Sequence, residues 1–225
     1  MQKQAFETYQ LWLSSPLSDP DLKAELEQIS GDEAAIEDRF YRDLEFGTGG
    51  LRGVIGAGTN RLNVHTVARA TQGYCNYLHK KFTNPCVAIA YDSRIKSTLF
   101  AQTAASVFAA NGVLVHLYSE LMPTPALSYA VRALSCSGGI VVTASHNPAK
   151  YNGYKVYGED GCQITPEAAK SILSEISCVD IFRDVRTMDF EQGVREGKIL
   201  YIPEKLTADY LNRVSKEAFQ PEGID

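Results

Sequence analysis

The segment SHNPAKYNGYK, residues 145–155, brings together side chains that could carry out chemistry. It begins with Ser145, a histidine and an asparagine in succession, and it ends with Lys155. The apolar run GGIVVTA at 138–144 precedes it and is typical of a strand buried on both faces. Ser145 would therefore follow the carboxyl end of a strand, where open α/β sheets bind their ligands. A reacting group is expected at this place.

Two kinds of chemistry could use this serine. A serine hydrolase would need His146 to take the proton of Ser145, but neighbouring residues of an extended segment point in opposite directions. The segment also lacks the GxSxG turn of hydrolases built on such sheets. A phosphorylated serine carries a charge of about −2 and needs N–H groups, cationic side chains or a metal ion around it. The residue types favour phosphoryl transfer over hydrolysis.

Cationic residues at two other places could join this serine. Arg52 belongs to the glycine-rich segment GTGGLRG, whose glycines allow the backbone to approach an anion closely. An arginine there can bind phosphate through two parallel hydrogen bonds, and Thr48 and Gly49 of the same segment are further candidates. Arg94, in YDSR, follows another apolar run and should lie at the same sheet edge. It could either join the positive cluster or pair with the aspartate of its own motif.

The elements that must position these residues alternate along the chain. Asn63 is a predicted N-cap of a long helix, a second helix is predicted at 97–110, and Thr124-Pro125 is predicted to cap a third. Apolar runs between and after these helices predict strands at 86–92, 113–118 and 138–144. Strands that alternate with helices predict an α/β fold with helices on both faces of a mostly parallel, mixed sheet.

Composition restricts the class of protein. The 225 residues are 44% hydrophobic and 22% charged, with a net charge of −5, which argues against nonspecific nucleic-acid binding. No apolar stretch approaches the roughly 20 residues that cross a membrane, and the N-terminus does not resemble a signal peptide. The five cysteines form no CxxC pair and the histidines show no metal-ligand spacing, so neither a disulfide framework nor a metal site is predicted. We therefore expect a cytoplasmic protein without a membrane or nucleic-acid partner.

Three motifs in order resemble those of the α-D-phosphohexomutase family of phosphoglucomutases and phosphomannomutases. They are FGTGGLRG, YDSR and TASHNPAKYNGYK, spread over residues 45–155. The stretch EFGTGGLRGVIGAGTNRLN is most similar to the branch with phosphopentomutase-like and glucose-bisphosphate-forming members. The resemblance implies a three-layer α/β/α first domain, followed by the start of a similar second domain.

The resemblance also implies a division of the chain. Residues 1–44, where apolar positions recur at helical spacing, would be a helical extension that packs on domain I. Residues 45–190 would be domain I with its phosphoserine loop. Residues 191–225 would be a linker and the first helix of an incomplete domain II. The stretch 180–200 is charged and expected to be a connector, and an amphipathic helix is expected from Pro203.

For the reaction, the resemblance implies that Ser145 is phosphorylated and acts as phosphoryl donor and acceptor. The phosphoryl group would move between the 1- and 6- (or 5-) positions of a sugar phosphate through a bisphosphate intermediate, with a glucose 1,6-bisphosphate-type primer. Mg²⁺ would contact a phosphoryl oxygen on Ser145 and would otherwise be bound by aspartates of a DGDxDR loop in domain II. Which sugar is used, glucose, mannose or a pentose, is left open.

Individual roles follow from the same resemblance. Lys155 would be a general acid/base beside the serine, and His146 would hydrogen-bond substrate or phosphate oxygens. Asn147 would either contact phosphate or, as its residue type favours, shape the loop. The expected catalytic residues are Ser145, His146, Lys155 and Arg52, and the expected phosphate-binding residues are Thr48, Gly49, Arg94 and Asn147.

No DGD triplet occurs in the 225 residues. The sequence is therefore expected to be the N-terminal portion of a phosphohexomutase, an intramolecular phosphotransferase whose remaining domains would be its partners, and to be inactive alone. The alternative is a stand-alone phosphosugar-binding or regulatory module without mutase activity.

Overall fold

The apolar runs of the sequence form the inner strands of one mixed sheet. The computed structural model describes residues 2–217. In this part of the chain the strands are β1 (Phe46–Gly47), β2 (Gly50–Val54), β3 (Cys86–Tyr91), β4 (Leu114–Leu117), β5 (Gly138–Val142), β6 (Tyr151–Gly158) and β7 (Ile199–Tyr201).

The spatial order of the strands is β1-β2-β6-β5-β3-β4-β7. Strands β5, β3, β4 and β7 are mutually parallel, whereas β6, β2 and β1 each run antiparallel to the preceding neighbour. Helices or long connections join the parallel strands, but only the loop at 143–150 joins β5 to β6, so the chain reverses there. The predicted α/β fold is confirmed, and the antiparallel half of the sheet is its less predictable part.

Helices cover both faces of this sheet. Those in the described residues are α1 (Lys3–Ser14), α2 (Pro20–Gln28), α3 (Glu33–Phe40), α4 (Val64–Lys81), α5 (Ser97–Ala110), α6 (Thr124–Ala133), α7 (Pro166–Ser177), α8 (Phe190–Arg195) and α9 (Glu204–Glu217). Alternate residues of β3 enter two different cores: Val87 and Ile89 join the larger one with α4 and α5, while Ala88 and Ala90 join a smaller one with α6. No helix of residues 2–217 has the length and apolar character needed to span a bilayer.

The helix starts follow the capping chemistry of the sequence in most cases. The side chain of Asn63 accepts hydrogen bonds from the backbone N–H groups of His65 and Thr66, and the Thr66 hydroxyl accepts one from the Asn63 N–H. The predicted cap of α4 is confirmed, as is the helix at 97–110. The predicted cap at Thr124 is wrong by one residue, because Thr124 is already helical and Pro123 precedes it in extended conformation.

The N-terminal helices and the segment after α7 both pack against the sheet domain. Trp12 of α1 is fully buried and makes edge-to-face contacts with His65 of α4 and with Phe182. Residues 180–200, expected to be a connector, contain α8 and the start of β7, and β7 adds the outermost parallel strand beside β4. The sheet thus continues past residue 190. Whether α9 begins another domain remains a prediction, and 218–225 lie outside the described residues.

Candidate active site

Ser145 lies in the loop that follows β5 and has an uncommon backbone conformation. Its φ angle is +55°, in the left-handed region that few residues other than glycine adopt. The side chain is exposed, whereas Ala144 just before it is buried. The loop therefore leaves the buried strand and immediately turns the serine hydroxyl outward. A strained conformation of this kind requires support from the surrounding structure.

A chain of hydrogen bonds beneath the loop provides part of this support. The buried Thr143 hydroxyl donates to the Asp92 carboxylate at 2.6 Å and accepts from the Ser145 backbone N–H at 2.9 Å. The other carboxylate oxygen of Asp92 accepts from the hydroxyl of Ser97, the first residue of α5, at 2.8 Å. The backbone of Ser145 is thus connected to the carboxyl end of β3 and to the start of α5.

Arg94 supports the same loop from another side. Its guanidinium group donates to the backbone carbonyl oxygens of Ser145, Asn147, Pro148 and Tyr151. These bonds span the loop from its start to the first residue of β6. Because these carbonyls occupy the N–H groups of both terminal guanidinium nitrogens, Arg94 is placed to position the loop rather than to bind an anion in front of it.

Lys155 contacts the serine directly. Its Nζ atom donates to Ser145 Oγ at 2.9 Å. In the antiparallel pair of β2 and β6, Lys155 lies opposite Gly50 and Arg52 lies opposite Gly153. Residues two apart share one face of a strand, so Arg52 and Lys155 lie on the same face of the sheet. The structure therefore brings the two predicted cations to the face beside Ser145.

Two glycines allow this arrangement of strands. A Cβ atom on Gly50, where φ is +142°, would lie 1.9 Å from the carbonyl oxygen of Tyr154. A Cβ atom on Gly153 would lie 2.6 Å from the carbonyl oxygen of Thr143. Gly153 has no positive φ, so it is required for close packing and not for backbone freedom.

A cleft of about 560 Å³ opens in front of these groups. Among the predicted site residues, its lining includes Thr48, Gly49, Arg52, Ser145, His146, Asn147 and Lys155. Glu45 is the one carboxylate that lines it within the described part of the chain. Arg52 and Lys155 therefore make the cleft locally positive although the protein as a whole is acidic. An anionic ligand requires such a local positive charge.

Two predicted residues have additional or different contacts. Asn147 lines the cleft, but its side-chain amide donates to the Ala144 carbonyl at 2.8 Å, so it also shapes the loop. Arg94 contacts the loop and does not line the cleft. The sequence left open whether Arg94 joins the positive cluster or pairs with Asp92. In the structure its Nε atom lies 3.6 Å from an Asp92 carboxylate oxygen, so the ion pair is present.

Sequence reasoning missed three residues of this site. Thr143 and Asp92 form the support described above, and both belong to the quoted motifs TASHNP and YDSR. Gln163 lines the cleft, and a side chain at Gly49 would collide with its amide. No local pattern marks Gln163, because it reaches this place through an isolated bridge to Tyr157 and neighbouring backbone bonds to β6.

The sequence model for phosphoglucomutase/phosphomannomutase, alpha/beta/alpha domain I, matches residues 43–180. The chain belongs to the phosphoglucomutase/phosphomannomutase family. A phosphoglucomutase from Staphylococcus saprophyticus is 39% identical over 175 residues, which are 78% of this chain and 32% of the relative. A phosphoglucomutase from Staphylococcus aureus strain bovine RF122 / ET3-1 is 38% identical over 208 residues, 91% of this chain and 36% of the relative.

Solved structures of the phosphoglucomutase/phosphomannomutase family share the fold. A Thermus thermophilus protein described as a phosphomannomutase superposes with a TM-score of 0.65 at 28% identity, over 79% of this chain and 37% of the other. A family protein from Burkholderia thailandensis superposes with a TM-score of 0.58 at 23% identity, over 76% of this chain and 35% of the other. This likeness supports the fold alone. The chain therefore spans about a third of the length of the relatives that it matches.

Proposed function

We propose that this domain carries the phosphoserine of a phosphoglucomutase/phosphomannomutase-type enzyme, and that Ser145 is the residue phosphorylated. The observation that carries the proposal is the 2.9 Å contact between Lys155 Nζ and Ser145 Oγ at the rim of a cleft that Arg52 also lines. A cation beside the nucleophilic oxygen and another within the cleft suit a group that alternates between a hydroxyl and a phosphate dianion.

In the proposed reaction, the bond between phosphorus and Ser145 Oγ breaks as a bond from phosphorus to a sugar hydroxyl oxygen forms. Lys155 donates a proton or a strong hydrogen bond to Oγ as the serine leaves, while the attacking sugar hydroxyl loses its proton to solvent. When Oγ later attacks the bisphosphate intermediate, Lys155 accepts the Ser145 proton and the departing sugar oxygen takes up a proton from solvent. Arg52 stabilises the charge on phosphate oxygens, and His146, Thr48, Gly49 and Asn147 are proposed contacts of substrate phosphate. The net result is transfer between the 1- and 6- (or 5-) positions of the sugar phosphate.

The supports of the loop have a positioning role in this proposal. In-line transfer depends on the alignment of the attacking and leaving oxygens, so a serine that moves by about 1 Å costs rate. Thr143, Asp92 and Arg94 fix the backbone on both sides of Ser145. They act through the loop and need not touch the substrate.

The residues of this cleft do not by themselves make a complete Mg²⁺ site. Mg²⁺ prefers six oxygen ligands and usually binds one or two carboxylates together with phosphate oxygens. The described lining offers Glu45 as its only carboxylate, and Arg52 and Lys155 contribute positive charge. We propose that the complete enzyme uses Mg²⁺, to which this chain contributes a phosphoryl oxygen on Ser145 and other parts of the polypeptide contribute the aspartates.

We also propose that the 225-residue chain alone does not turn over, and that the complete enzyme acts in the cytoplasm. The second statement is supported by five free cysteines, three of them at least partly buried. The sugar, its phosphate position and the glucose 1,6-bisphosphate-type primer stay proposals, because the chain spans about a third of the length of its relatives.

Intact mass spectrometry of the complete polypeptide tests the assignment. The freshly purified enzyme should carry one phosphate adduct, and Ser145→Ala should lack it. Mutase activity with glucose 1-phosphate, Mg²⁺ and bisphosphate primer should fall by at least about 1,000-fold in Ser145→Ala. Lys155→Met should lose at least about 100-fold, whereas Lys150→Met, at an exposed position of the same loop, should change little.

Two results would contradict the proposal. An enzyme without phosphate that turns over in the absence of primer would exclude Ser145 as the carrier. A polypeptide that binds sugar phosphate but never acquires phosphate on Ser145 would favour the stand-alone binding module. For the 225-residue chain, the same mutase assay should give no turnover above that of its Ser145→Ala variant.

A further inference from the structure

A second cluster of reactive side chains lies at the opposite end of the strands from Ser145. Cys86 is the first residue of β3, His116 is in β4, and Cys136 lies two positions before the start of β5. Their ligand atoms, two Sγ and one imidazole nitrogen, all lie within 4.8 Å of one another. No spacing pattern in the sequence indicates this group, because its members are 30 and 20 residues apart.

The sheet register explains why the three side chains meet. His116 lies directly beside Ala88, and Cys86 is two residues before Ala88, so the side chains of Cys86 and His116 point to the same face. Ala88 has the smallest side chain that a strand residue other than glycine can have, which leaves space between Cys86 and His116. The Ser137 backbone N–H donates to the Cys86 carbonyl at 2.8 Å and so places Cys136 beside β3.

We propose that Cys86, His116 and Cys136 bind one Zn²⁺ ion, with a water molecule as the fourth ligand. In a tetrahedral site with Zn–S bonds of about 2.3 Å and Zn–N bonds of about 2.0–2.1 Å, ligand atoms lie about 3.6–3.8 Å apart. Because the observed ligand atoms lie within 4.8 Å of one another, each pair would have to approach by at most about 1.2 Å to bind the ion. Two sulfurs and one imidazole are a ligand set that Zn²⁺ prefers over Mg²⁺ or Ca²⁺.

The surroundings of the three residues suit a structural metal ion. Cys136 is 2% exposed and packs in the smaller core with Val131, whereas Cys86 and His116 are partly exposed and leave a path for the ion and a water. Zn²⁺ binds the neutral imidazole of histidine and the thiolate of cysteine, so binding would release the protons of the two thiols. Two thiolates would neutralise the charge of the ion.

The proposed metal ion would cross-link three segments of the domain. Cys86, His116 and Cys136 come from two neighbouring strands and from the turn that follows α6. Because an ion bound only to the native state stabilises it by mass action, Zn²⁺ should raise the unfolding temperature. The site is separate from the cleft at Ser145, which follows the carboxyl end of β5, whereas Cys136 precedes its amino end.

Spectroscopy with Co²⁺ in place of Zn²⁺ tests the proposal. The chain would be purified metal-free with a phosphine reductant, in a Cys162→Ser/Cys178→Ser background that removes the two exposed thiols. Titration should give one equivalent of Co²⁺ with tetrahedral visible bands and a thiolate-to-cobalt charge-transfer band, both displaced by Zn²⁺. Cys86→Ser should lose about half of the charge-transfer intensity, since one of two thiolates is gone.

Further variants separate a ligand from a structural residue. His116→Gln should weaken Zn²⁺ binding by at least roughly tenfold, while its metal-free circular dichroism stays native. Cys136→Ala, a small change in an apolar environment, should remove the charge-transfer contribution of the second sulfur. Ser145→Ala should leave the Co²⁺ spectrum unchanged, which shows that the ion is not bound in the cleft.

The proposal would be overturned by any of three results. The first is binding of less than half an equivalent of Zn²⁺ or Co²⁺ by the reduced, folded background protein. The second is a Co²⁺ spectrum that survives in Cys86→Ser and His116→Gln alike. The third is a disulfide between Cys86 and Cys136, detected as a loss of two hydrogen masses, that forms under the same reducing conditions in place of metal binding.

Discussion

Replacement of Thr143 by valine should destabilise the domain and release the Ser145 loop. Valine has nearly the shape of threonine, so the change removes the hydroxyl and little else. That hydroxyl makes two hydrogen bonds, one to the Asp92 carboxylate at 2.6 Å and one from the Ser145 N–H at 2.9 Å. Thr143 is 5% exposed, so water does not replace the hydroxyl freely.

The expected loss follows from these two bonds. The bond from Thr143 to the charged Asp92 carboxylate contributes about 1.5–3 kcal/mol. The bond from the Ser145 N–H contributes about 0.5–1 kcal/mol, because Ser145 is exposed and water can partly replace it. Asp92 retains the bond from the Ser97 hydroxyl and therefore is not left without a partner. The sum is about 2–4 kcal/mol of unfolding free energy. That is a large share of the roughly 5–15 kcal/mol typical of a domain, but the variant should still fold.

Urea unfolding followed by circular dichroism measures this loss, with Thr143→Ser as the matched control. Serine keeps the hydroxyl, so it should lose less than half as much as valine does. Amide hydrogen exchange should also rise at 144–147 in Thr143→Val, since the Ser145 N–H has lost its acceptor. If valine costs less than about 0.5 kcal/mol, or if serine costs as much as valine, the hydrogen-bond chain does not support the loop.

Three other changes test different parts of the structure. Gly50→Ala should cost at least about 3 kcal/mol in urea unfolding because its Cβ meets the Tyr154 carbonyl, whereas Gly47→Ala, with only an ordinary contact, should cost less than about 1 kcal/mol. Arg94→Lys should raise the hydrogen exchange of the loop without unfolding the domain. Burial lowers the pKa of His65 below 6.5, so unfolding takes up a proton below that pH; His65→Gln should therefore lose less stability on acidification than the native chain.

Much of the fold could be predicted because each inner strand is a short apolar run between helix signals. The runs at 86–92, 113–118 and 138–144 contain β3, β4 and β5, and the cap at Asn63 marks the start of α4. The last strand, β7, could not be predicted in the same way, because it has three residues, two of them exposed. Its place beside β4 is set by tertiary pairing, and no periodicity in so short a segment reveals it.

The residues of the candidate site could be predicted because they belong to short local motifs. Their arrangement in space could not be predicted from those motifs. Ser145 and Lys155 are ten residues apart, and a parallel continuation of the sheet would have carried the lysine away from the serine. The reversal of the chain after β5 instead returns β6 along β5, and Lys155 then reaches Ser145 Oγ. The reversal depends on the loop, and Arg94 and Thr143 stabilise that loop. The residues that stabilise the turn therefore also bring the Lys155 ammonium group to Ser145 Oγ. Arg94 takes part in this through its bonds to the loop carbonyl groups and does not line the cleft.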